Sequence, residues 1–443
     1  MKFYYYLIIF FFIFGCSFDN KTGIWKDSTN VTNSKKKVDI FVDFKRLSLT
    51  EQIFDETIEI KKNFKFDLQD TTSNFFWRDI YYSNDNNYKN FKYNEKNLTL
   101  LKSKKLSRSE INEFILFDDN NLISSDVKGN IIIYSLNQNK IITNFNFYKK
   151  KYKGLKKKLN MIIEKDVIYV SDNLGYLYAF DYKNKKIIWA KNYRIPFRSN
   201  LKLYGNKLIA SNQDNNLFFF NKNDGFILRS IPTEETVIKN KFINNLSLDN
   251  NNLYFLNTYG SLYSINANNM SLSWVINLNP SLDLNTNNLF NSAPIINHKN
   301  IIVVASNNNI FIINKISGAI YFRKNFSISI KPIILKHYLF LITKNNFLIA
   351  FNLNNNEIIY SYNINKKIDN FLKKIKSKSQ IIDFLILNNK IYIILKNSNV
   401  VKLSLEGKIE NYFKLPSKVN SKLLIINDSI FYINKNKKFV IVD

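Results

Sequence analysis

Cysteine is almost missing from this chain: Cys16 is the single one in 443 residues. No intramolecular disulfide can form, so the fold must be held by a packed core. Glycine and proline are scarce too, at 10 and 6 residues. That excludes collagen-like and glycine- or proline-rich low-complexity architectures. No glycine-rich phosphate loop and no serine nucleophile elbow can be found. Histidine occurs twice, as His298 and His337, and neither lies in a zinc-ligand spacing. Acidic residues number 35 against 64 Lys and Arg, leaving a net charge of +29. Such an excess invites a nucleic-acid or anionic-surface reading. The lysines are spread over the whole chain, however, among Asn, Ile, Phe and Tyr, all residues of AT-rich codons, so composition accounts for much of the charge and no nucleic-acid partner is expected.

Apolar residues make up 45% of the chain, enough for a sizeable core. The longest apolar run, Phe3 to Phe14, follows Met1-Lys2 and is twelve residues long. A membrane-spanning helix needs roughly 20, so the run reads as the apolar region of a secretory leader. Ile13-Phe14-Gly15-Cys16 resembles a bacterial lipobox. The resemblance implies cleavage after residues 1–15, a leader assigned to 1–16 with its lipobox Cys, and acylation of the Cys16 thiol. Each buried methylene of an acyl chain contributes about 0.8 kcal/mol to anchoring. Ser17 rather than Asp follows the Cys, which by the same resemblance implies delivery to the outer membrane. Residues 17–37 are rich in Asn, Ser, Thr and Lys and read as a flexible tether.

The rest is governed by a repeat. Its clearest copy is Val167–Lys191, VIYVSDNLGYLYAFDYKNKKIIWAK. Short apolar or alternating runs separated by polar turns are the signal of antiparallel strands. The unit restarts near Leu122, Val167, Leu208, Leu253, Ile301, Leu339, Ile391 and Ile430, about every 44 residues, a propeller-blade period. A short polar turn residue recurs at Ser135, Asp181, Asn221, Asn266, Asn314, Asn352 and Ser404, where its side chain can cap the backbone two residues on. A large residue closes the unit at Trp189 and Trp274, relaxed to Phe322, Tyr360, Thr143 and Arg229 elsewhere; a ring there is placed to dock between blades. The eighth copy, Ile430–Asp443, stops after two strands. Because an open sheet edge invites aggregation, Asn97–Leu106 is expected to complete it. The sequence therefore predicts an all-β chain. Residues 97–443 form an eight-bladed β-propeller of four-stranded antiparallel blades closed by an N-terminal strand, with seven blades as the alternative count. Residues 38–96, including the polar run Asn84 to Asn90, read as an irregular extension that packs on it.

The blade VSDNLGYLYAFDYKNKKIIW resembles the repeat of the pyrroloquinoline-quinone-type propellers, and the likeness spans roughly residues 97–443. One branch of that family, the quinoprotein alcohol dehydrogenases, holds quinone and Ca²⁺ with acidic residues and commonly carries a vicinal Cys–Cys pair. This chain has no such pair. The other branch, the BamB family, joins a lipobox, a tether and eight such blades without a cofactor. Asn74-Phe75-Phe76-Trp77 is similar to the opening segment of some members. The BamB resemblance implies a non-enzymatic, cofactor-free and metal-free scaffold, lipid-anchored on the periplasmic face of the outer membrane. Its implied partners are the POTRA domains of a barrel-forming subunit, with unfolded outer-membrane proteins as clients. Two segments are implied as partner-binding. By blade count it is the loop 231–238, with Pro232, Glu234 and Glu235. By local motif it is 280–284, with Pro280, Leu282, Asp283 and Leu284, leading into Ser292-Ala293-Pro294. The alternative is a periplasmic quinoprotein-like or ligand-binding propeller that uses its central channel. Two basic stretches stay unassigned: Lys149 to Lys158 (KKKYKGLKKK), and 366–380, an amphipathic insert expected as a surface helix. The first can meet anionic lipid or an acidic partner, the second a membrane surface.

Overall fold

The computed structural model describes residues 54–68, 70–236, 240–279, 289–328, 330–373 and 379–443, and the backbone of 16–18 and 25–27. The chain divides into two compact units, residues 1–51 and 52–443. In the first, Cys16–Phe18 pairs antiparallel with Trp25–Asp27. The leader, and most of the stretch read as a tether, lie outside the described residues.

The second unit contains eight four-stranded antiparallel sheets, seven of them paired in simple sequence order. We number the blades from 1 to 8. They cover 116–146, 159–192, 202–231, 245–277, 296–324, 333–363, 381–414 and 424–442. Blade 8 supplies only three strands, Leu424–Ile426, Ser429–Ile433 and Lys438–Val442. Its fourth is Thr99–Lys105 from the other end of the chain, which pairs antiparallel with Lys438–Val442. The expected closure is thus present. Every propeller strand, the closing one included, lies within residues 52–443, so this unit carries its fold by itself.

The expected phase of the repeat needs one correction. The runs that restart the repeat are second strands, not first ones. Each blade begins one strand earlier, with an innermost strand as short as three residues, such as Leu116–Asp118 or Ile333–Leu335. So short a run sets up no visible alternation. Second and third strands are buried on both faces, as in Tyr338–Ile342 and Phe347–Asn352. Outer strands alternate or are largely exposed, as in Ser271–Asn277. The core lies between blades: separate apolar clusters join blades 2 and 3, 3 and 4, 4 and 5, and 5 and 6. The largest cluster unites the remaining blades with residues 77–93.

The polar turn residues act as anticipated. Asp181 Oδ1 accepts the Asn184 N–H at 2.8 Å, Asn314 Oδ1 that of Ile316 at 2.8 Å, and Asn352 Oδ1 that of Asn354 at 3.0 Å. The closing tryptophans dock on the next blade. Trp189 Nε1 donates to Lys222 O at 2.8 Å, and Trp274 Nε1 to Lys315 O at 3.3 Å. Each ring lies against a turn glycine of positive φ. A Cβ on Gly225 (φ 75°) would fall 2.6 Å from Trp189, and one on Gly318 (φ 74°) 2.9 Å from Trp274. Only glycine admits both the conformation and the ring.

Candidate functional site

Innermost strands pose a problem that the blades cannot solve alone. Each offers a free edge toward the axis, and buried backbone groups must find partners. Residues 74–94 solve it. They run once round the channel and meet the blades in chain order. Asn74 Nδ2 donates to Ile425 O on blade 8 at 2.8 Å. Trp77 and Phe117 exchange backbone hydrogen bonds on blade 1, and Ile163 N donates to Arg78 O on blade 2. Ser83 O accepts from Lys202 on blade 3. Leu248 N donates to Asn84 O on blade 4, and Asn297 N to Asp85 O on blade 5. The Asn87 side chain mimics a strand against blade 6, donating to Ile334 O at 2.8 Å and accepting from Ile334 N at 3.0 Å. Phe91 N donates to Ile386 O on blade 7, and Asn94 N to Asp428 O back on blade 8. The polar run Asn84 to Asn90 is therefore no solvated loop: Asn86 is fully buried and bonds Leu246 O and Ile295 O, both at 2.8 Å.

Two lysines enter this ring from the blades. Lys202, with a side chain 0% exposed, donates to Asp79 Oδ2 at 2.7 Å, Ser83 O at 2.9 Å and Asn86 Oδ1 at 2.7 Å. Lys331 Nζ donates to Asn86 O at 2.6 Å and stands 3.1 Å above the Tyr88 ring. Burial holds its ammonium well below the usual lysine value. These contacts were missed from the sequence. The available signal was the density of rings between the asparagines, at Trp77, Tyr81, Tyr82, Tyr88, Phe91 and Tyr93, all but Tyr82 buried.

A quinone with its metal would need this axis, and the residues do not fit it: the chain's own ring fills the channel. Among the described residues no group of three or more His, Cys, Asp or Glu could hold a metal ion. One mouth keeps a cavity of about 210 Å³, lined by Asp70, Thr72, Asp85, Lys89 and His298 among others. His298 Nε2 lies 2.8 Å from Lys336 O, and burial lowers its pKa. His337 packs beside Tyr338, its pKa likewise lowered by burial.

The two faces of the disc differ. One carries the turns after the first and third strands. Several of its lysines are paired there: Lys183 with Asp166 at 2.8 Å, Lys315 with Asp249 at 2.8 Å, Lys336 with Asp67 at 2.6 Å, and Lys92 with Asp428 at 3.4 Å, while Lys140, Lys185 and Lys186 stand exposed. The other, the connector face, carries the turns after the second strands and all links between blades. The described part of the first segment implied as partner-binding, 231–236, belongs to it, as do the described residues flanking the second.

The connector from blade 3 to blade 4 is fastened at Thr236, whose Oγ1 accepts from Tyr259 Oη at 2.8 Å. Glu234 N donates to Tyr263 Oη at 3.1 Å, and its carboxylate accepts from Ser261 Oγ at 2.5 Å. Pro232, Glu234 and Glu235 remain exposed. Burial, with the Glu235 charge beside it, raises the Asp214 pKa. In the next connector, Pro280, Leu282, Asp283 and Leu284 lie outside the described residues, as do 237–239 of the first. Its described flanks return to the same turn: Leu278 N donates to Gly260 O and Phe290 N to Thr258 O, both at 2.8 Å. The anchored ends of both connectors thus meet at blade 4's turn Thr258–Gly260.

On the other side of this face, Lys149, Lys150, Lys153 and Lys158 stand exposed and outside every ion pair among the described residues, and Lys156 reaches Glu110 only at 3.9 Å. The basic insert forms the helix Ile364–Leu372, capped by Asn363, which accepts from Lys366 N at 3.1 Å. No described helix is long and apolar enough to cross a membrane.

A family model described as outer membrane protein assembly factor BamB, built on the PQQ_2 repeat, matches residues 128–362. No curated protein matches the sequence. Among solved structures, BamB from Moraxella catarrhalis is similar at a TM-score of 0.61 and 13% identity, covering 78% of this chain and 99% of that one. The computationally designed Ika8 protein aligns at 0.58 and 10% identity, covering 78% and 99%. The quinohemoprotein alcohol dehydrogenase of Comamonas testosteroni aligns at 0.61 and 10% identity, covering 83% and 80%. At such identities the likenesses show a shared fold, which hosts both an assembly factor and a dehydrogenase.

Proposed function

Because the chain belongs to the BamB family of outer membrane protein assembly factors, we propose that it is a non-enzymatic scaffold that assists insertion of β-barrel proteins into the outer membrane. It is anchored there by acylated Cys16 on the periplasmic face. Its partner is the set of POTRA domains of the barrel-forming subunit. Unfolded barrel proteins are its clients, and no cofactor takes part. The observation that carries this reading is the convergence of the two connectors on Thr258–Gly260. Pro232, Glu234 and Glu235 stand exposed beside that turn, and Pro280, Leu282, Asp283 and Leu284 belong to the neighbouring connector. Apolar anchors supply affinity at such a contact and carboxylates set register. The filled channel speaks against the competing reading of a ligand or quinone on the axis.

The test is an affinity pull-down of tagged full-length protein from detergent-solubilised envelopes, read by mass spectrometry. A POTRA-bearing barrel is expected among the recovered proteins, and its recovery should fall sharply in Leu282→Ala/Leu284→Ala and Glu234→Lys/Glu235→Lys. Absence of any such barrel, or recovery indifferent to both variants, would sink the reading.

A further inference from the structure

The charge on the connector face is divided. Asp214, Glu234 and Glu235 belong to the blade 3–4 side, where Lys241 is also exposed. The opposite side, from the blade 6–7 connector round to the blade 1–2 connector, carries more lysines than carboxylates, with Glu110 and Glu113 exposed among them. Lys149, Lys150, Lys153, Lys156 and Lys158 crowd one loop, Lys366 lies in the helix and Lys373 at its C-terminal end, all exposed. Neighbouring turns add exposed Lys396, Lys435 and Lys128. Both basic segments also display an apolar residue to solvent: Leu155 is 50% exposed and Phe371 45%.

We infer that this basic half of the connector face docks on an anionic lipid surface, its lysines against headgroup phosphates and Leu155 and Phe371 inserted at the acyl boundary. Three observations favour lipid over an acidic protein. The cations are lysines, point charges suited to a fluid array of phosphates, rather than arginine forks set for fixed carboxylates. Most of them lie on open loops and one helix; of those named, only Lys156 and Lys158 border a cavity, one of about 380 Å³ shared with Glu110 and Glu113. Each basic segment carries a single exposed apolar side chain, the arrangement that interfacial contacts use. The geometry also leaves the blade 3–4 side free, so lipid and protein contacts can coexist. The inference does not depend on the partner proposed above.

Residues 52–443, which omit the lipid anchor, are incubated with phosphatidylcholine vesicles, with and without phosphatidylglycerol, and sedimented. Binding is expected only to the anionic vesicles and should fall as salt rises. Each lysine removed should weaken partitioning about fivefold, so Lys149→Gln/Lys150→Gln/Lys153→Gln should lose roughly a hundredfold. The corresponding arginine triple should keep binding. Lys140→Gln/Lys185→Gln/Lys186→Gln, on the opposite face, should bind as the parent does. Leu155→Ser/Phe371→Ser should weaken binding and leave its salt dependence in place. Equal loss in both glutamine triples would overturn the inference in favour of diffuse charge. No binding to anionic vesicles, with polyglutamate bound through Lys149, Lys150 and Lys153 instead, would assign the face to an acidic protein.

Discussion

Replacing Asp79 by Asn asks whether the ring holds the propeller together. The change is nearly isosteric and keeps an acceptor for the Tyr81 N–H, which Asp79 Oδ1 meets at 2.9 Å. What it removes is the charge opposite Lys202, 2.7 Å away on a side chain with no exposure. A solvent-exposed pair contributes about 0–1 kcal/mol. A buried one broken on one side costs about 3–5 kcal/mol, because the remaining ion stays desolvated without its partner. Asp79→Asn should therefore destabilise by about 3–5 kcal/mol, a large part of a typical stability. Lys202→Met should cost a similar amount, since Asp79 is then stranded. The double variant should be more stable than the sum of the singles requires, with a coupling of about 2 kcal/mol. The assay is equilibrium urea unfolding followed by tryptophan fluorescence, with the slope checked for constancy. Trp77, 1% exposed within the ring, reports directly. A cost under about 1 kcal/mol for either single variant, or strict additivity, would show that the ring is packed beside the blades rather than tying them.

Two further outcomes follow from the geometry. Gly225→Ala meets both a positive φ and the Trp189 ring and should cost about 2–5 kcal/mol. Gly205→Ala shares the positive φ but has nothing within 4 Å and should cost only about 1–2 kcal/mol, so equal losses by thermal unfolding would refute the docking argument. Burial disfavours the charged form of His298 and lowers its folded pKa below the ordinary histidine value. The unfolded chain therefore binds a proton first as pH falls. Stability should be complete above the ordinary histidine pKa and be lost as pH drops from there through the depressed folded value. His298→Gln should lack that part of the decline, and an unchanged profile would refute it.

The repeat was legible because blade strands are regular where burial is two-sided. Apolar second and third strands, polar turn residues such as Asp181 and Asn314, and the closing tryptophans all left their mark. The missing strand of the eighth copy was legible as well, since a propeller cannot leave an edge open. The innermost strands were not, because three residues carry no period. Nor was the ring. A run such as Ser83-Asn84-Asp85-Asn86-Asn87 reads as solvated whenever burial is unknown, and its partners lie 116 to 247 residues away in the chain.

Sequence alone determined the architecture: the blade period, the closing strand and the absence of any disulfide. Local turn chemistry and burial patterns are written in neighbouring residues. Tertiary structure alone decided what fills the axis and how charge divides between the faces. The first requires eight strand edges to converge on one segment. The second requires hairpin turns to bring lysines such as Lys183 and Lys315 to carboxylates while Lys149, Lys150, Lys153 and Lys158 stay outside every ion pair among the described residues. Composition, which counts +29 for the whole chain, gives no hint that five exposed lysines crowd the one loop Lys149–Lys158.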